Sequence, residues 1–327
     1  MIYDFNENVL KIKKGMKSDI KRTSGRCAAI LLLLAIITYF LGNVIINILG
    51  VNGIKSDENS KELYNFFVGY LPCIIADITA ICACMIVFKQ SIKIYLGKPE
   101  KLSLPFMISG ALSSLGIGII SSIIFLIYSG IIKSKGIEIP SPDFSIPQSN
   151  IFFILFISYT CIIAPIFEEI IFRGYILNNM CKYGNIIGIV MTSIFFSMFH
   201  FNLVQFINPV LMGIVLSFIA LRSKSIIPSI AVHMFNNMIA MATTVVSSNC
   251  SNNVVLIWTS IYYIGGISAL FYFFLKYGKE FVNIVKEKHS FLRIKKKFFY
   301  SVFNIGTIAY IIFYIFFVSI TIISKNM

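Results

Sequence analysis

The sequence predicts an all-α fold, a polytopic transmembrane helical bundle of about nine transmembrane helices. Three observations lead there. Hydrophobic residues make up 57% of the 327-residue chain and charged residues only 13%, against roughly 25% charged residues in soluble domains. Apolar stretches of about 20 residues, the length a helix needs to cross the hydrocarbon core, recur from Cys27 to the C-terminal end. Basic residues gather in alternate connections between those stretches.

The first span, 27–49, follows a basic segment, 1–26, that carries seven Lys and Arg. A signal peptide begins the same way, but this apolar run is too long and lacks a small-residue cleavage site, so a retained anchor is expected. The second span, 65–88, contains Asp77, and the third, 106–132, ends at the Pro-punctuated "SKGIEIPSPDFSIPQSN" of 134–150. Spans 151–181 and 186–205 form a hairpin around "CKYGN", 181–185. A short sixth span, 207–221, follows an irregular stretch at 203–210, and the seventh is 226–247. Spans 254–275 and 301–323 flank a basic loop, 276–300. The chain divides into 1–149, a basic N-terminus with three spans; 150–247, a core; and 248–327, a C-terminal two-helix region.

If nine spans alternate, one side of the membrane receives 22 Lys and Arg: seven in 1–26, four in 89–101, Lys182, two in 222–224 and eight in 276–297. The other side receives only Lys55, Lys61, Lys133, Lys135 and Lys325. That asymmetry places the N-terminus in the cytoplasm. The net charge of +14 is therefore topological. "RIKKKFF", 293–299, reads as a lipid-headgroup anchor, so the lipid bilayer is an expected partner and nucleic acid is not. Richness in Ile, Lys and Asn looks like an AT-rich bacterium, which makes the bacterial inner membrane the expected location. Seven cysteines, six of them in or at the edge of spans, give no disulfide framework. Cys82 and Cys84 point to different helix faces and make a poor metal pair.

Ionisable residues inside membrane spans mark function. Here they are Asp77, Glu168, Glu169, Arg173, His200 and His233, while His289 lies in the basic loop. Asp77 stands alone and reads as a packed acid paired with a hydroxyl or another helix. In "EEIIFR", 168–173, Arg173 lies about 40° around the helix from Glu169 but about 140° from Glu168. Glu169 and Arg173 can close an i,i+4 ion pair, which leaves Glu168 free to act as a general base. "FSMFH", 196–200, puts Phe196 and His200 on one face, and "HMFNN", 233–237, does so for His233 and Asn237. Counted from the nearest turns, Glu168 and His200 lie roughly 21–24 Å deep, and His233 and Asn237 roughly 14–20 Å. One carboxylate, two imidazoles and an amide in one layer are expected to form a reaction centre.

These three motifs in this order resemble the CPBP family, also called Abi, which includes type II CAAX prenyl proteases and bacteriocin-processing proteins. The resemblance covers roughly 150–245 and implies an intramembrane endopeptidase acting on a membrane-associated peptide or protein. It implies that Glu168 and His200 activate a water and that His233 and Asn237 stabilise the oxyanion. Glu169 and Arg173 would hold the helix and its charges. As cofactor, none or a single divalent metal such as zinc is compatible. Glu168, His200 and His233 would supply three zinc ligands, but no HExxH pair is present. No GxSxG elbow supports serine catalysis, and no second intramembrane Asp pairs with Asp77. The alternatives are a non-enzymatic bacteriocin-immunity or scaffold protein of the same fold and, behind it, a transporter.

Overall fold

The computed structural model describes residues 2–49, 58–142, 146–286 and 291–327. His289 lies outside them. Among the described residues the chain is helical and contains no strand. The helices are α1 (Ile2–Leu49), α2 (Glu62–Phe88), α3 (Leu104–Lys133), α4 (Asn150–Cys181) and α5 (Asn185–Met198). After them come α6 (Ile207–Ser223), α7 (Ile227–Asn249), α8 (Asn252–Val285), α9 (Ile294–Val302) and α10 (Ile305–Asn326). Seven are long and apolar enough to cross a membrane, and α5 and α6 are apolar but shorter. The chain is thus a multi-pass membrane protein.

Boundaries differ from the sequence expectation where polar residues redirect the backbone. The basic segment before residue 27 continues the first span as one helix, α1, of 48 residues. The expected span 186–205 stops at Met198. Beyond it Asn202 Nδ2 donates to the His200 carbonyl at 2.8 Å, and Asn202 Oδ1 accepts from the Gln205 backbone N–H at 2.7 Å. The Asn side chain thus supplies bonds that a continuing helix would have made. Phe201, inside this turn, has a φ of +50°. The expected ninth span, 301–323, begins later, at Ile305, because Asn304 caps α10 by accepting from the Thr307 N–H at 3.0 Å.

The outer helices are attached by glycine contacts. A Cβ at Gly116 of α3 would stand 2.5 Å from the Gly266 carbonyl oxygen of α8. At Gly306 of α10 a Cβ would strike the backbone of Gly25 in α1. Small residues let helix backbones approach, which matters in lipid because apolar side chains gain little by leaving it. One apolar core joins α1, α2, α4, α5 and α10 through residues such as Leu31, Phe172, Phe195 and Tyr310. A second joins α3, α6 and α8 around Phe106, Phe218 and Phe273.

Candidate active site

Helix α4 positions the first three polar residues. Pro165 lacks the N–H that would bond the Cys161 carbonyl. The helix widens to π geometry at Tyr159–Ile163 and again at Ile170–Leu177. Between the two wide segments, Ala164–Glu169 remains α-helical. Such widened turns recur at functional sites, where they redirect side chains.

Arg173 Nη1 donates to Glu169 Oε1 at 2.7 Å, with both side chains fully buried. The guanidinium carbon also lies 4.3 Å from the Phe196 ring centroid, a cation–π contact. Two neutralising contacts therefore meet a cation that lipid would otherwise exclude. Glu169 Oε1 is also 3.1 Å from His233 Nδ1. Because a carboxylate only accepts, Nδ1 carries the proton and Nε2 turns to the other side of the ring. There Nε2 stands 3.6 Å from Glu168 Oε2. Arg173, Glu169, His233 and Glu168 thus form one chain of contacts linking α4 to α7.

The second imidazole is fixed by backbone. His200 Nδ1 lies 2.9 Å from the Phe196 carbonyl oxygen, so Nδ1 donates and Nε2 is left as an acceptor. Phe196 stands edge-on to both imidazoles, with centroids 5.2 Å from His200 and 5.6 Å from His233. Asn237 Nδ2 donates to the Thr160 carbonyl at 2.9 Å, and its Oδ1 accepts from Asn236 at 3.3 Å. These bonds set the amide plane and leave the second N–H of Nδ2 free of both.

Glu168, His200, His233 and Asn237 line one cavity of about 350 Å³, together with Gln205 and Asn208. A second chamber, about 510 Å³, is walled mainly by apolar side chains, among them Leu34, Phe156, Tyr159 and Met241. Glu168, His200, Gln205 and Asn237 line both, so they stand between a polar compartment and an apolar one. The structure therefore gathers all six residues singled out in the sequence: four on the cavity wall, with the Glu169–Arg173 pair behind His233. It adds Thr160, which acts through a backbone carbonyl and leaves no trace in the sequence. It also adds Gln205, a polar residue in an apolar stretch, and it places Asp77 on the wall of the apolar chamber. Asp77 Oδ1 has no hydrogen-bond partner among the described residues. Cys82 is exposed and Cys84 buried, as their spacing predicts, and all seven thiols are free.

A zinc or other divalent ion would need at least three converging ligands. Among the described residues no group of three His, Cys, Asp or Glu side chains is placed to hold one. Nδ1 of His233 is held by Glu169 and Nδ1 of His200 by the backbone, which leaves Nε2 as the remaining nitrogen of each ring.

Residues 150–239 match the family model described as Type II CAAX prenyl endopeptidase Rce1-like. The match runs from the start of α4 into α7 and includes every one of the six residues. No curated protein and no solved structure gives a significant match.

Proposed function

We propose that this membrane-embedded domain of the CPBP/CAAX-protease family hydrolyses a peptide bond of a membrane-associated peptide or protein, with Glu168 as general base. One observation carries the reading: Glu168 Oε2 and His233 Nε2 face each other across 3.6 Å on a cavity wall shared with His200 and Asn237.

A water in that cavity donates one O–H to Glu168 and the other to the acceptor Nε2 of His200. One of its lone pairs attacks the scissile carbonyl carbon as the first proton passes to Glu168. The carbonyl π pair moves onto oxygen. The unused N–H of Asn237 and the Nε2–H of a protonated His233 receive the negative charge. Protonated His233 donates at both nitrogens, to Glu169 through Nδ1 and to the developing oxyanion through Nε2. Collapse of the intermediate breaks the C–N bond, and the departing amine takes the proton that Glu168 holds. Arg173 neutralises Glu169, so the carboxylate orients His233 without adding a net charge behind it. Both donors are fixed before substrate arrives, which is where electrostatic catalysis gains most. A cytoplasmic N-terminus, supported by the distribution of Lys and Arg, and a bacterial inner-membrane location, supported by the richness in Ile, Lys and Asn, accompany this reading.

The test is a comparison of membrane peptides by mass spectrometry in cells carrying the natural chain or Glu168→Ala. A product present only with the natural chain identifies substrate and activity together; identical peptide sets in both would sink the reading.

A further inference from the structure

Asp77 is the carboxylate of the apolar chamber that the proposed mechanism leaves unused. It lies on α2, outside the residues 150–239 that match the family model. It is 2% exposed, and its Oδ1 has no hydrogen-bond partner among the described residues. A carboxylate in that position is costly unless something pairs with it. The chamber wall holds a second carboxylate, Glu168, and no Lys or Arg. Arg173, five residues after Glu168, is paired with Glu169. Apart from His200, the remaining lining is aliphatic, aromatic or neutral polar, as in Leu34, Phe156, Tyr159 and Met241. An occupant matched to these walls is apolar along its length and brings one positive charge.

We infer that Asp77 is a specificity-determining residue that pairs with a Lys or Arg side chain of the substrate, so that the chamber selects an apolar peptide segment with a basic residue close to the cleaved bond. This rests on the peptidase reading for the scissile bond but not for the binding. The chamber is contiguous with the catalytic wall through Glu168, His200 and Asn237, so a segment seated in it reaches the carboxylate without crossing protein. Asp77 makes no contact with the reacting atoms in this arrangement. It fixes which residue of the segment stands beside them.

The experiment uses the full chain in detergent micelles and a set of fluorescent apolar peptides. The peptides differ at one position only, scanned along the sequence: Lys, acetyl-lysine, Gln or Glu. Binding is measured by anisotropy on the Glu168→Gln chain, which holds peptides uncut, and cleavage is measured on the natural chain. Lys at one fixed position should bind at least tenfold more tightly than acetyl-lysine there, a comparison that needs no substitution at Asp77. Asp77→Asn should abolish that preference while leaving binding of the Gln peptide unchanged. Asp77→Glu should retain it. In cleavage, the loss for Asp77→Asn should fall on KM rather than kcat. Equal binding of Lys and acetyl-lysine peptides, binding of none of them, or a preference that survives Asp77→Asn would overturn the inference. Selective binding without cleavage by the natural chain would instead overturn the peptidase reading and leave the role of Asp77 standing.

Discussion

Glu168 Oε2 lies 3.6 Å from His233 Nε2, although one residue sits on α4 and the other on α7. With Nδ1 of His233 committed to Glu169, a neutral ring would turn a lone pair toward a carboxylate oxygen. Two acceptors repel, so this approach is favourable only with a proton between the two atoms. Glu168→Gln removes the base without changing the shape, and cleavage should fall by about 10²- to 10⁴-fold. His200→Ala should cause a loss of the same order. If the chain instead protects cells or binds a partner without cutting, those effects should survive Glu168→Gln unchanged; an immunity or pull-down assay with that variant separates the two classes of function.

Asn237 should act on rate more than on binding. Its Nδ2 is oriented by the Thr160 carbonyl at 2.9 Å. Asn237→Ala removes one oxyanion donor, a change worth about 10²- to 10³-fold in kcat. Steady-state kinetics on any accepted peptide should show KM nearly constant.

Breaking the buried ion pair should separate stability from activity. Arg173→Ala strands the charge of the fully buried Glu169, at a cost of about 3–5 kcal/mol. Thermal unfolding in detergent should register this as a large drop in midpoint. Replacing both partners, Glu169→Leu with Arg173→Met, should recover most of the loss, since an apolar pair needs no neutralisation. Cleavage should not recover, because His233 Nδ1 would have lost its acceptor.

Phe201 tests the turn that follows His200. Its ring packs against Tyr310, Phe313, Tyr314 and Phe317 of α10, and its φ is +50°. Phe201→Ala loses the ring and keeps the unfavourable backbone, at about 3–5 kcal/mol. Phe201→Gly loses the same ring but is at ease with that φ, so it should be the more stable variant by about 1–2 kcal/mol. Equal unfolding midpoints for the two would show that the left-handed conformation costs nothing here.

Much of this organisation was legible in the sequence because lipid allows so few ways to bury a charge. Helical angle alone separated Glu168 from Glu169, and the 2.7 Å pair with Arg173 follows that separation. Depth counting brought His200, His233 and Asn237 to the level of Glu168, even though α5 ends at Met198 rather than at 205. That early end was hidden because it depends on Asn202 side-chain bonds competing with the helix in an otherwise apolar stretch. The Thr160 contact was hidden for another reason: any residue type offers a carbonyl. Asp77 looked like a packed acid because nothing along α2 reveals that the facing helices leave a chamber there.

The aromatic clasp on Phe201 also has a consequence for how the protein is made. The ribosome delivers α5, with His200 just past its end, about a hundred residues before it delivers α10. Until α10 arrives, the turn beside His200 lacks the rings that hold it, and α1 lacks its partner at Gly306. A nascent chain that already carries every motif would therefore remain an unfinished catalyst. Release of a functioning hydrolase into the bilayer would wait on a helix that contains none of its reactive groups.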